Sequence, residues 1–191
     1  MQITNNSILQ QKKGSMKKRR VVPALAIIVV FFYTLFSNPM MQTVYGKGFK
    51  VIHVYSIAYN LFKRAADCNN MEAQYNLGIC YENGQGVEQS NEKAVEWFRK
   101  AAEQGFAVAQ VNLGVYYQKG LGVEQSDEKA VEWFRKAADQ GDAVAQLILG
   151  NCYANGQGVE QSDEKAVEWY RKAAEQGNAR AQEALERLEK N

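Results

Sequence analysis

The sequence predicts an all-α protein, a solenoid of helix-turn-helix repeats with a period of 36 residues. Three observations predict it. Trp97, Trp133 and Trp169 are 36 residues apart at each step, and Gly78, Gly114 and Gly150 keep the same step. Each step holds two segments with apolar residues at helical spacing, divided by a glycine-bearing turn. The copies also follow one another without a spacer. A fixed period in this range means stacked supersecondary units, because one unit cannot bury its own apolar face.

Residues 1–46 stand apart from the stack. Lys12, Lys13, Lys17, Lys18, Arg19 and Arg20 place six positive charges before residue 21, with no acid among them. Val21–Phe36 (VVPALAIIVVFFYTLF) follows, 16 residues without a charge. A basic segment leading into an apolar core of this length reads as a secretory signal peptide. A membrane span needs about 20 apolar residues, which this run approaches only by extending to Met41. Val44-x-Gly46 is a weak cleavage signal, so the segment is expected to be either a signal peptide or an uncleaved signal anchor, with membrane contact only through residues 21–41. The basic cluster favours a cytoplasmic N-terminus, and both versions export the repeats. The destination is periplasmic or inner-membrane-anchored in a bacterium, and the lumen of the secretory pathway in a eukaryote. Met16, directly before KKRR, is a second candidate start to set beside Met1.

The overall charge of +2 hides an asymmetry. Without the six leader cations, 17 basic residues face 21 acidic ones, a net of −4. An acidic repeat domain argues against nucleic acid as a partner, since phosphate binding needs a basic surface.

Residues 47–72 read as a degenerate N-terminal half-repeat. At the common period, Ala58, Leu61, Phe62, Ala65 and Ala66 align with Ala94, Trp97, Phe98, Ala101 and Ala102, and no clear first helix precedes them. Asn69 replaces the closing glycine, and asparagine is the next best residue for a left-handed cap.

Three full units follow within residues 73–180, at 73–108, 109–144 and 145–180. In the middle one, a first helix over about Ala109 to Lys119 places Ala109, Leu113, Tyr116 and Tyr117 on one face. Gly120 stands where a left-handed residue ends a helix without a Cβ penalty, and Gly122 is expected to keep the turn mobile. Ser126 or Asp127 caps the second helix, with Asp127 and Glu128 near its positive end. Ala130, Val131, Phe134, Ala137 and Ala138 form its apolar stripe. Gly114 costs its helix about 1 kcal/mol relative to alanine, so its recurrence implies a close approach by the partner helix, whose alanines also lack bulk. Trp133 and Phe134 are expected to fill the gaps between hairpins, which makes Gly78, Gly114, Gly150, Trp97, Trp133 and Trp169 structural. Residues 181–191 (AQEALERLEKN) begin another first helix and then turn polar, as a capping helix does.

Leu113-Gly114-x-x-Tyr117 and Ala130-x-x-x-Phe134 resemble the tetratricopeptide pattern. The 36-residue period, the turn Gly120–Val123 and the run KA-x-x-W-F/Y-x-KAA-x-Q-G are more specifically similar to the Sel1-like repeat (SLR) family. The resemblance implies a right-handed α-solenoid that serves as a non-catalytic scaffold or adaptor for a protein or peptide ligand. It names no partner.

The residues offer little chemistry. Cys80 and Cys152 hold the same register in units separated by a whole repeat, too far apart for a bridge, and read as small buried hydrophobes. Cys68 is the one thiol open to reaction. The single histidine, His53, has no ligand cluster around it, so no metal and no cofactor is expected. Ser90, Ser126 and Ser162 recur as helix caps, and the unpaired Gly84-x-Gly86 lacks the strand and third glycine of a phosphate loop. The competing enzymatic reading comes from the resemblance: some cysteine-rich relatives bind or hydrolyse β-lactams. Their paired junction cysteines fall where this chain has Ala66 and Gln74, or Ala102 and Gln110, which counts against that activity, and nitrocefin turnover would separate the two readings. A self-assembling envelope protein is a third class.

The copies show which positions differ. Second helices are nearly identical, whereas first helices vary at Tyr75, Val111 and Leu147; at Asn76, Asn112 and Ile148; at Ile79, Val115 and Asn151; and at Asn83, Lys119 and Asn155. Glu82, Gln118 and Ala154 vary with them. These positions share one side of the helix, opposite Leu77 and Tyr81. By analogy with related solenoids, whose first helices line the concave face, this strip is the candidate partner-binding groove.

Overall fold

A computed structural model describes residues 49–188, with side chains from residue 54. The leader of residues 1–46, the side chain of His53 and residues 189–191 lie outside the described residues. Eight helices occupy the described part: α1 Phe49–Asp67, α2 Met71–Asn83, α3 Asn91–Glu103, α4 Ala107–Lys119, α5 Asp127–Asp139, α6 Ala143–Asn155, α7 Asp163–Glu175 and α8 Ala179–Leu188. The chain divides between Ala58 and Tyr59 into two units, and the repeat stack belongs to the second. From α2 to α8 each helix packs on its neighbours in chain order. The result is an α-solenoid of three hairpins followed by a lone first helix.

Local chemistry sets the helix ends. Ser90, Ser126 and Ser162 cap α3, α5 and α7, each hydroxyl accepting from the backbone N–H three residues on. That satisfies one of the donors a helix start leaves open. Asn70 and Asp142 do the same for α2 and α6 through Oδ1 at 2.8 Å. Gly120 closes α4 at φ 66°, and Asn69 adopts the expected left-handed conformation at φ 59°. What was read as a half-repeat contains one continuous helix: α1 has 19 residues, against 13 in each second helix.

The core crosses hairpin boundaries. One cluster joins Phe98, Ala101 and Ala102 of α3 to Ala109, Leu113 and Tyr116 of α4. Another runs from Phe134 of α5 through Leu149 and Tyr170 to Ala181 of α8. An isolated hairpin would leave one side of these clusters in water, and full burial of a Leu or Phe side chain is worth about 1.5–3 kcal/mol.

The recurring glycines accept a ring. A Cβ built on Gly78 would run into the ring of Phe98, one on Gly114 into Phe134, and one on Gly150 into Tyr170. It is therefore an aromatic of the second helix, rather than its alanines, that approaches so closely. Phe134 is 0% exposed, whereas Trp133, about 100° further round the helix, is half-buried. Trp133 packs on the cluster that joins α3 to α4. The open faces of the tryptophans are covered by lysines three residues on, with Lys100, Lys136 and Lys172 Nζ 3.8, 3.9 and 3.9 Å from the ring centroids. This is a cation–π contact at helical i,i+3 spacing. In α8, Glu186 stands at the register of Gly78, Gly114 and Gly150. A ring could not rest there as Phe98, Phe134 and Tyr170 rest on the three glycines.

Two further devices lock the repeats. Gln110 Nε2 donates to the Ala102 carbonyl at the end of α3 (3.0 Å), while its Oε1 accepts from Gln140, the C-cap of α5 (2.7 Å). Gln146 repeats this between Ala138 and Gln176 at 3.2 and 2.8 Å. These buried amides are satisfied, as buried polar groups must be. Gly122, expected to be a mobile turn residue, is instead a contact. At φ 64° it lies so near the start of α3 that a Cβ would strike the backbone of Asn91 and Glu92. Gly158 meets Asp127 and Glu128 of α5 in the same way.

Candidate functional site

The first helices carry the strip of positions that differ among the copies, and its members fall into three groups. Asn83, Lys119, Asn151 and Asn155 are exposed; Asn76, Ile79, Val111, Val115, Leu147 and Ile148 are half-buried, with their apolar members packed on the core clusters. Asn76 and Asn83 donate back to carbonyls of their own helix, at 2.8 Å to Glu72 and 3.2 Å to Ile79. Tyr75 and Asn112 are tied to each other across the seam between α2 and α4. The Tyr75 ring sits against Phe98 and Phe106, with centroids 5.6 and 5.4 Å away, and its hydroxyl accepts from Asn112 Nδ2 at 3.4 Å.

Glu82, also variable among the copies, is a seam residue as well. The hydroxyl of buried Tyr116 donates to its Oε1 at 2.8 Å. Burial foremost, and this bond to a carboxylate second, push the Tyr116 hydroxyl well above its ordinary pKa of 10. Arg99 and Arg135 add two more stitches, donating to the hydroxyls of Tyr117 and Tyr153 at 2.8 and 2.7 Å.

Leu147, Ile148, Asn151 and Asn155 come together in one depression of about 700 Å³. Its remaining walls include Val144 and Ala154 of α6, Tyr170 of α7, and Arg180, Glu183, Ala184, Arg187 and Leu188 of α8. The Tyr170 hydroxyl donates to Asn151 Oδ1 at 2.7 Å. A second hollow of about 430 Å³ lies on the second-helix side, lined by Glu128, Glu132, Arg135, Lys136 and Asp139, charges of both signs, around Val131 and Val159. It belongs to the solvated charged face that the KAA-E/D-Q-G runs imply.

Two strip residues escaped the sequence reading. Val108 and Val144 are 43% and 54% exposed, at identical register on α4 and α6. Unit boundaries drawn at 108/109 and 144/145 place these two at the end of a unit, whereas the first helices begin at Ala107 and Ala143. Their signal was position: each lies three residues before Val111 or Leu147, on the same side of the helix.

The described thiols behave as their burial dictates. Cys80 and Cys152 are buried and Cys68 is exposed, all three unpaired. Burial pushes the thiols of Cys80 and Cys152 up from 9 to about 11. Because the folded state holds the proton more tightly, the stability tied to these thiols is fully present below pH 9 and is lost as pH rises through 11. At pH 8, a thiol reagent is expected to modify one cysteine in the native protein and all three in denaturant. Rapid native labelling at Cys80 or Cys152, read by mass spectrometry, would contradict this packing. No group of His, Cys, Asp and Glu able to hold a metal occurs among the described residues.

Stacked hairpins with a continuous first-helix face define a class, the helical-repeat solenoids, whose members work through surfaces that several repeats build together. The chain belongs to the Sel1 repeat family: a sequence model of the Sel1 repeat matches residues 44–70, 72–106, 107–142 and 143–178. Among solved structures it is similar to a protective antigen of uropathogenic Escherichia coli strains with an SLR fold, at 46% identity and TM-score 0.62, over 64% of this chain and 26% of that one. It is also similar to a Sel1 repeat protein from Oxalobacter formigenes, at 42% identity and TM-score 0.62, over 65% of this chain and 94% of that one. Chitin synthase regulatory factor 2 of Schizosaccharomyces pombe is 45% identical over 40 residues, a match spanning 21% of this chain and 8% of that protein. Sel1 repeat proteins mediate protein–protein interactions and are generally non-catalytic scaffolds.

Proposed function

We propose that the protein is a non-catalytic interaction scaffold that holds a peptide or protein partner along the concave face, built from the first helices α2, α4, α6 and α8. The observation that carries this reading is the repeated exposure of Val108 and Val144 in register, continuous with Val111, Val115, Leu147 and Ile148. Single exposed apolar residues need no explanation, but the same one at the same place on successive first helices makes a strip, and apolar strips mark interaction sites. The same proposal puts the repeats outside the cytoplasm, exported or held at the membrane through residues 21–41. Its support is the basic cluster followed by the uncharged run Val21–Phe36.

The test starts from a partner recovered by crosslinking in intact cells. The double substitution V108D/V144D is expected to weaken capture of that partner by at least about tenfold, the scale of one interface hot spot. Thermal stability should stay nearly unchanged, since surface substitutions shift it by about 0.5 kcal/mol or less. Undiminished capture by the folded double variant would remove the strip from consideration.

A further inference from the structure

We propose that the depression between α6 and α8 takes a short peptide segment that is both acidic and apolar, its carboxylate held by Arg180 and Arg187 and its apolar side chain seated on Leu147 and Ile148. The inference rests on the scaffold reading above and gives it a ligand chemistry.

Register supplies the first argument. Arg180 stands on α8 where α6 has Val144 and α4 has Val108; Arg187 stands where they have Asn151 and Val115. At these two registers the strip is thus apolar or amide on α4 and α6 and basic on α8, where two guanidinium groups stand together. A segment lying along it would match that order with apolar residues first and an acid at the α8 end.

Charge complementarity supplies the second. Outside the leader the chain carries a net charge of −4, yet two guanidinium groups and a single carboxylate, Glu183, line this opening. Glu183 meets Arg187 at 3.7 Å with both side chains largely exposed. A pair of that length in solvent contributes little and yields readily to a competing carboxylate. Arg180 has no ion-pair partner among the described residues. A guanidinium offers the planar fork that matches a carboxylate with two parallel hydrogen bonds.

The wall facing the arginines completes the fit. Arg187 lies close enough to Tyr170 for its charge to oppose the rise that burial imposes on the hydroxyl. Tyr170 in turn occupies Asn151 Oδ1, which leaves the two Nδ2 donors of this exposed amide for a ligand carbonyl. At about 700 Å³ the space is of ordinary ligand-site size.

The experiment measures fluorescence anisotropy of the full-length protein with three fluorescein-labelled peptide pools. One mixes Asp and Glu with Leu and Phe, the second mixes Asn and Gln with Leu and Phe, and the third mixes Asp and Glu with Ser. The acidic–apolar pool is expected to bind about tenfold more tightly than its amide counterpart, the increment of a charge-assisted contact. It should also bind more tightly than the acidic–serine pool. The double substitution Arg180→Gln and Arg187→Gln should level acid and amide pools while leaving the helical circular dichroism unchanged. Equal binding of acid and amide pools overturns the proposal, as does a preference that survives the double substitution, or no binding by any pool. Self-association that the same two substitutions dissolve, seen by light scattering, overturns it in favour of a second copy of this chain. If V108D/V144D still abolishes partner capture while the pools fail to discriminate, only this inference falls and the scaffold reading stands.

Discussion

Phe134→Ala is expected to destabilise the protein by about 3–5 kcal/mol, the usual cost of emptying a fully buried aromatic site. Its ring is 0% exposed and fills the space that Gly114 leaves open, and the surrounding helices are pinned by Gln110 and Tyr116, so little collapse can refill the void. With total stabilities near 5–15 kcal/mol, that is a large share of what holds the domain together. The loss falls on the middle hairpin, through which α2–α3 and α6–α7 are coupled. Urea unfolding should therefore shift to a lower midpoint and become less cooperative, as nearest-neighbour stacking requires. A second substitution isolates the ring-on-glycine contact. Gly114→Ala should destabilise the wild type, because its Cβ meets the Phe134 ring. In the Phe134→Ala background it should stabilise by up to about 1 kcal/mol, the helix-propensity gain of alanine over glycine. Equal effects in both backgrounds would show that the ring does not rest on the glycine.

Gly122→Ala carries the second large effect, on the order of 2–5 kcal/mol. About 1–2 kcal/mol comes from placing a Cβ at φ 64°. Roughly 1–3 kcal/mol more comes from overpacking against the backbone of Asn91 and Glu92, which cannot rotate away. Gly141→Ala is the control: it has φ 89° but nothing within 4 Å of the added Cβ, so only the conformational cost applies. The difference between the two midpoints of chemical unfolding measures how firmly each turn rests on the preceding repeat. Identical losses would mean that the turn does not dock.

The fold was legible because its signals are local and repeated three times. Ser126, Gly120 and Asn69 act within a few residues of themselves, and their roles could be read from capping chemistry alone. Packing partners were harder to read. Trp133 and Phe134 are adjacent and both aromatic, and only the rotation of α5 against α4 decides that Phe134 faces Gly114 while Trp133 keeps one face for Lys136. Gln110 was invisible as a seam residue for a similar reason. Gln74, Gln110 and Gln146 each recur 30 residues before Gln104, Gln140 and Gln176. No rule for reading helices, however, joins two glutamines that meet only when hairpins close and stack. Comparing the copies found much of the first-helix face, yet it credited Tyr75, Asn112 and Glu82 with openness that belongs partly to the seam. It also passed over Val108 and Val144, whose exposure depends on where the first helix begins.

Site-specific photo-crosslinking in cells most directly tests the claim that stacked hairpins present one working face. A photoreactive residue would be placed in turn at Val108, Val144 and Ile148 on the first helices, and at exposed Glu96, Glu132 and Glu168 on the second helices. The account predicts adducts to one protein partner from the first three positions and none from the other three. Adducts to that partner from Glu96, Glu132 and Glu168, with none from the valine positions, would contradict it.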